Sequence, residues 1–313
     1  ELSERLIESV PLTIIRDQIK WLDKTDRLIG IKGARGAGKS TLLLQFARLN
    51  IPSRKRLYVS LDDILFSEKK LTELADEFVK LGGEYLLLDE VHHYKNWPGE
   101  IKNIYDRYPA LHVLFTGSSI LHLSRGASNL SRRAVVYDLP GLSFREYLVF
   151  TRGCSFPVLT LQELLNNHVE LAKPVWKEIK PLEAFNEYMV NGYYPYFIEN
   201  PGTYDLKLRE SVMKVLESDL PYVTQMDYAN LDKIKQLLYV ISQSVPFKPN
   251  IERLSEKLHV GKNTLKLYLK YLNDASMINT LYSSKKGDNT AYQTREDLPA
   301  SSQPDVMPCC QQG

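Results

Sequence analysis

The chain has 313 residues, 43% hydrophobic and 25% charged, with 40 Lys and Arg against 38 Asp and Glu for a formal net charge of +2. That length allows two domains or three small ones around a sizeable core, and no apolar run nears the roughly 18 residues of a membrane span. So small a net charge does not by itself predict a nucleic-acid partner. Three cysteines, two of them adjacent at Cys309 and Cys310, make neither a disulfide framework nor a CxxC metal spacing, so a reducing cytoplasm is expected. The opening ELSERLIESV mixes charges into its apolar positions, unlike a signal peptide, and the lack of an initiator Met points to a fragment.

Residues 27–33, RLIGIKG, read as a buried parallel strand, and STLLLQFARL as the start of a helix. Between them Gly33, Gly38, Lys39 and Ser40 match the pattern GxxxxGK[ST]. Glycines there let the main chain curl until successive N–H groups face phosphate oxygens, and the helix N-terminus adds favourable partial charge. Gly33, Ala34, Arg35, Gly36, Ala37, Gly38, Lys39, Ser40 and Thr41 are therefore the expected cradle of a nucleoside triphosphate. Lys39 would reach the β- and γ-phosphates, and the Ser40 hydroxyl would bind Mg²⁺.

A strand candidate, RLYVSLDD, and a helix candidate, LTELADEFVKLGG, lead to EYLLLDE at 84–90. The carboxyl end of a parallel strand faces the ligand crevice, which puts Asp89 beside Mg²⁺ and Glu90 beside the attacking water. His92 and His93 follow directly. Adjacent residues point in different directions and no third ligand is evident, so a structural or surface role is expected of them. The next strand, LHVLFTGSS, ends in hydroxyls; Ser118 first and Thr116 second are candidates to orient water or sense the γ-phosphate, although strand-end hydroxyls also form ordinary turns. A further strand, RRAVVYDL, begins with Arg132 and Arg133. Alternating strands and helices across 27–139 predict an α/β fold, a doubly wound parallel sheet with the nucleotide at its edge.

Beyond residue 141 helical patterns take over in LSFREYLVF, TLQELLNNHVELA and PLEAFNEYMVNG, with connections marked by Pro and Gly in YYPYF and ENPGTYD. Here the chain resembles the bacterial and archaeal AAA-type ATPases whose C-terminal half carries a domain of unknown function. The resemblance rests on the P-loop with Arg35 at its third position, on LLLDEVHHYKNW closing at Trp97, and on FTGSS, LSRRA, LSFREYL and GYYP (Gly192 to Pro195) in that order. It covers about the first two thirds of the chain. It implies ATP and Mg²⁺, a P-loop NTPase core of AAA+ type with a helical lid, and hydrolysis that depends on the carboxylate after Asp89. It also implies an arginine completing the site, supplied by a neighbour in a homo-oligomer. Arg133 matches the usual arginine after the sensor strand, Arg132 stands where glycine is more typical, and Arg125 is a third candidate; all three would equally serve in local carboxylate pairs.

The predicted organisation is a P-loop core at 1–141, a helical lid and linker at 142–222, a winged helix-turn-helix at 223–288 and a disordered tail at 289–313. In the third unit, Leu231, Ile234, Leu238 and Ile241 share one face of a helix; Asn250 caps a second helix with Ile251, Leu254 and Leu258 inward; and Gly261 makes the turn into a third. On that third helix Leu265, Leu269 and Leu272 face the core, while Lys262, Lys266 and Lys270 form one exposed basic stripe. Double-stranded DNA is the partner expected for those lysines and Asn263, with Lys285 and Lys286 on the wing; intramolecular packing of an ordinary solvated face is the competing reading. The polar, Pro- and Ser-rich end departs from the family, as a truncated or frame-disrupted product would. Two functions follow: ATP hydrolysis to ADP and phosphate coupled to movement of the winged helix, or a nucleotide-gated DNA- or protein-binding switch with little hydrolysis. Glu90 favours the first, since a pure switch has no need of it.

Overall fold

The structure is a computed structural model that describes residues 1–120, 130–224, 226–243 and 249–280. Five strands, β1 (Leu28–Gly33), β2 (Arg56–Ser60), β3 (Tyr85–Asp89), β4 (His112–Ser118) and β5 (Val135–Asp138), form one sheet in the order β2-β3-β4-β1-β5. Every pairing is parallel. Central strands of a parallel sheet are covered on both faces, which is why their sequences read as apolar runs rather than alternating ones.

The two-residue period divides those runs between two cores. Ile29, Ile31, Leu87 and Leu114 point to one face and pack on Ile7 of α1 (Leu2–Ser9) and Leu42, Leu43 and Phe46 of α2 (Lys39–Asn50). Leu28, Leu86, Leu88, Val113 and Phe115 point to the other, against Leu71 and Ala75 of α3 (Leu71–Lys80) and Ile101 and Ile104 of α4 (Trp97–Arg107). The architecture is thus the expected α/β sheet with helices on both sides.

Capping boxes start the next two helices. Ser143 and Glu146 exchange bonds at the head of α5 (Phe144–Arg152), and Thr160 and Glu163 at the head of α6 (Leu161–Glu178). α6 carries Leu161, Leu165 and Trp176 exposed and has no buried residue. After α7 (Pro181–Asn191), the connection through Tyr194, Pro195 and Tyr196 leads to α8 (Tyr204–Lys214), a π-helical turn at Val215–Asp219 and α9 (Leu220–Thr224).

α10 (Tyr228–Ser242), α11 (Ile251–Leu258) and α12 (Lys262–Asp274) enclose a further core. The apolar positions named above for these helices are all buried, and all but Leu231 share this core, joined by Leu237 and Tyr268. The Asn250 side chain accepts from the Arg253 N–H, as a cap should. Two details differ from expectation. The left-handed residue between α11 and α12 is His259 (φ 51°), whereas Gly261 has an ordinary φ of −68° and sits at the N-cap, so the turn comes two residues early. The lysine stripe is exposed at Lys262, which is bonded to Glu252, and at Lys270, whereas Lys266 is half-buried. Lys285 and Lys286, the wing, the tail at 289–313 and Arg125 lie outside the described residues. Among the described residues no helix is long and apolar enough to cross a membrane.

Candidate functional site

The loop from β1 to α2 requires two left-handed glycines. Gly36 (φ +83°) and Gly38 (φ +90°) turn the chain so that α2 begins with its N-terminus on the loop, and a Cβ on Gly36 would meet Tyr196 Cε1 at 2.5 Å. Lys39 is 4% exposed, and its Nζ donates to Gly33 O and Ala34 O, both at 3.1 Å. Burial pushes this ammonium below its ordinary range, while Glu90 and Asp89 pull it back up. An ammonium has three donors. The two loop carbonyls use two of them, and the remaining one suits a phosphate oxygen. The cradle therefore fits a polyphosphate.

β3 delivers Asp89 to the same end of the sheet, where it is 3% exposed. The Tyr58 hydroxyl donates to Asp89 Oδ2 at 2.7 Å, and the Thr116 hydroxyl donates to Oδ1. Burial and the neighbouring Asp89 raise the Tyr58 pKa, so the phenol keeps the proton it donates. Thr116 Oγ1 in turn accepts the Glu90 N–H at 3.0 Å. Of the two hydroxyls on β4, the second choice from sequence is the one tied to both acids. Ser118, the first choice, pairs in register with Gly33 beside the loop, and its N–H lies 3.4 Å from His92 Nδ1. The hydroxyl of Ser40 and the carboxylate of Asp89 are the hard oxygen donors that suit Mg²⁺.

Glu90 has a left-handed backbone (φ 52°), a conformation that costs a non-glycine residue about 1–3 kcal/mol and persists where surrounding contacts enforce it. Burial raises its carboxyl pKa, with Lys39 opposing and Asp89 adding to the rise. The histidines correct the expectation that they diverge. The 3-10 turn at Val91–His93 brings their ring centroids to 4.2 Å, and Glu90 Oε2 lies 3.2 Å from His92 Nδ1, a third potential ligand missed in sequence. Burial, with His93 nearby, pushes His92 down to about 3, so Glu90 faces a neutral imidazole. Arg133 is held by Asp106 on α4 at 2.9 and 3.2 Å, the carboxylate pair weighed against a phosphate role, and Arg132 is exposed.

Three groups of residues from outside the motif meet the loop. Arg16 spends all its donors: two on Glu146, at 2.8 and 3.2 Å, and one each on Ala37 O, Pro140 O and Gly141 O at 2.9–3.0 Å. Tyr194, Pro195 and Tyr196 lie over Gly36 and Gly38, and Ala34 shares a core with Tyr147, Tyr194 and Phe197. Asp219, in the π-helical turn, approaches Arg35 at 3.9 Å. The sequence motif GYYP thus acts as a roof on the loop; its aromatic density was the visible signal.

Residues 25–148 match the family described as AAA domain, and residues 182–296 match a domain of unknown function, DUF8612. The uncharacterized protein MJ1637 of Methanocaldococcus jannaschii is 30% identical over 271 residues, covering 80% of this chain, which spans only 56% of that relative's length. Similar solved structures include PCH-2 of C. elegans (16% identity, 87% of this chain and 65% of that one, TM-score 0.32) and Orc1 of Aeropyrum pernix in complex with DNA (13%, 90% and 84%, TM-score 0.31). AMPPCP-bound DnaA of Aquifex aeolicus is another (15%, 88% and 89%, TM-score 0.31). By these two matches, residues 25–148, which hold the loop and the acid pair, are an AAA domain, joined to a C-terminal region that matches a domain of unknown function.

Proposed function

We propose that the chain binds ATP with Mg²⁺ in the loop at 33–41 and hydrolyses it to ADP and phosphate, coupling the nucleotide state to movement of a winged-helix module at 223–288. The observation that carries this is the buried, under-partnered Lys39 facing Asp89 and Glu90 across the end of the sheet. Lys39 and the loop amides bind and orient the phosphates; Ser40 and Asp89 would hold the metal, with Tyr58 and Thr116 fixing the carboxylate. Bound Mg²⁺ supplies neutralisation of phosphate charge. Glu90 orients the attacking water and accepts its proton at a carboxylate oxygen. Titration calorimetry with ATP in millimolar magnesium is the direct test. Wild-type protein takes up nucleotide and Lys39→Ala loses most of that affinity; folded wild-type protein that takes up neither ATP nor GTP refutes the reading.

A second activity, duplex DNA binding on α12, is favoured by one observation: Lys270 and Asn263 are exposed on a helix whose Leu265, Leu269 and Leu272 are buried, so its polar face is open to solvent. Fluorescence anisotropy with random duplex should then show affinity falling with salt. Replacing Lys266 and Lys270 by Gln lowers the slope of log K against log[salt] by about 0.9 for each phosphate no longer neutralised. An unchanged slope leaves α12 a packing helix.

A further inference from the structure

The AAA domain is met from the second half of the chain by one buried acid. Asp219 is 3% exposed; its Oδ2 lies 3.9 Å from Arg35 Nη1, and its Oδ1 has no hydrogen-bond partner among the described residues. Buried carboxylates are ordinarily fully bonded, so this one is held at a single long contact. It ends a π-helical turn, a rare widening that is frequent at functional sites, between α8 and α9. Val215 and Leu216 of the same turn are packed in the core of α10–α12, and Val215 also lines a narrow cleft with Ala34, Arg35 and Tyr194. The turn therefore touches the phosphate loop on one side and the C-terminal helices on the other.

Arg35 is the third residue of the loop, and its side chain is about one third exposed, open to solvent as well as to Asp219. A triphosphate arriving in the loop brings a concentrated negative charge to the groups that act on Asp219, which are Arg35, His93, Lys214 and Lys39. Burial raises the Asp219 carboxyl pKa against the pull of all four. Phosphate oxygens take a guanidinium in short, charge-assisted and often bidentate bonds, stronger than one contact at 3.9 Å.

We propose that Asp219 competes with the nucleotide phosphates for Arg35: it lowers nucleotide affinity in the resting chain, and it is released, with its turn, when phosphate takes the guanidinium. Resting on the nucleotide reading above, this makes Asp219 a positioning residue that acts through Arg35 and gives the C-terminal helices a contact that changes on binding. Coupling of this kind commonly amounts to about 5–150-fold in affinity.

The sign of the effect separates this role from a structural one. Asp219→Asn keeps the shape and removes the charge, so it should bind the β,γ-methylene analogue of ATP about tenfold tighter by calorimetry, with KM for ATP lowered and kcat not raised. A brace for the loop would give the opposite, weaker binding and a lower melting temperature. Hydrogen exchange on the wild-type chain provides the independent reading, with amides at 215–219 exchanging faster when the analogue and Mg²⁺ are present. Equal or weaker binding by folded Asp219→Asn overturns the proposal, and so does unchanged or slower exchange of those amides in nucleotide-bound wild type. Should wild-type protein bind no nucleotide, the reading of the site itself falls; if it binds and the Asn variant matches it, only the role of Asp219 falls.

Discussion

Glu90→Gln should take up ATP and Mg²⁺ as wild type does and lose roughly 10²- to 10⁴-fold in phosphate release, the usual contribution of a positioned general base. The substitution keeps the side chain's length and its acceptor oxygen and deletes the ability to take a proton. Affinity is preserved because the groups that would grip phosphate are elsewhere: Lys39 on α2, the loop amides and Arg35. The left-handed backbone at residue 90 is also preserved, since it is enforced from outside by the bond from its N–H to Thr116 Oγ1. Single-turnover phosphate release beside equilibrium binding separates the two effects. A variant that releases phosphate at the wild-type rate removes Glu90 from the chemistry, whatever its affinity. Assays at several protein concentrations also test whether a second copy takes part, since specific activity that depends on self-association rises with concentration.

What sequence could show, and what it could not, follows the range of the interactions. β1, β3 and β4 were legible because burial on both faces demands uninterrupted apolar residues, and the loop because two left-handed turns before a helix demand glycine at 36 and 38. The acids were legible because a parallel strand that ends in Asp89 can only end at the ligand side. Arg16, Tyr58 and Asp219 were not. Arg16 finds Glu146 across 130 positions, Tyr58 finds Asp89 across 31, and Asp219 reaches a loop near the other end of the chain. No periodicity encodes those partners: the pairing of β2 with β3 brings Tyr58 to Asp89, and the packing of α5 and the π-helical turn against the loop creates the other two. The histidines went wrong for a local reason. Divergence of neighbouring side chains holds in a strand or a regular helix, and the turn at Val91–His93 is neither.

The largest stability loss is expected at Arg16, through a pair that no motif marks. Its guanidinium and the Glu146 carboxylate are 5% and 9% exposed, and they join two otherwise separate tasks. Glu146 caps α5, its Oε2 accepting the Ser143 N–H and hydroxyl at 2.9 Å, while Arg16 binds Ala37 O inside the phosphate loop. Arg16→Met strands a buried carboxylate and three carbonyls. Breaking one side of such a pair costs about 3–5 kcal/mol, or roughly 10 °C in melting temperature for a domain of this size. Removing both charges in Arg16→Met/Glu146→Met should recover part of that loss, because two apolar side chains need no partner.

The pH dependence of the same pair has a defined sign. Burial alone would raise the Glu146 carboxyl; the bond from Arg16 and the Ser143 N–H outweigh it and hold the pKa below its ordinary value. A carboxylate depressed in the folded state stabilises fully above its unfolded pKa and ceases to do so as the pH falls through the folded value. The gap in melting temperature between wild type and Glu146→Gln should therefore be full at neutral pH and close only in acid, below the ordinary carboxylate range. A gap that stays constant into acid would mean that packing, not charge, is what Arg16 and Glu146 contribute to the loop.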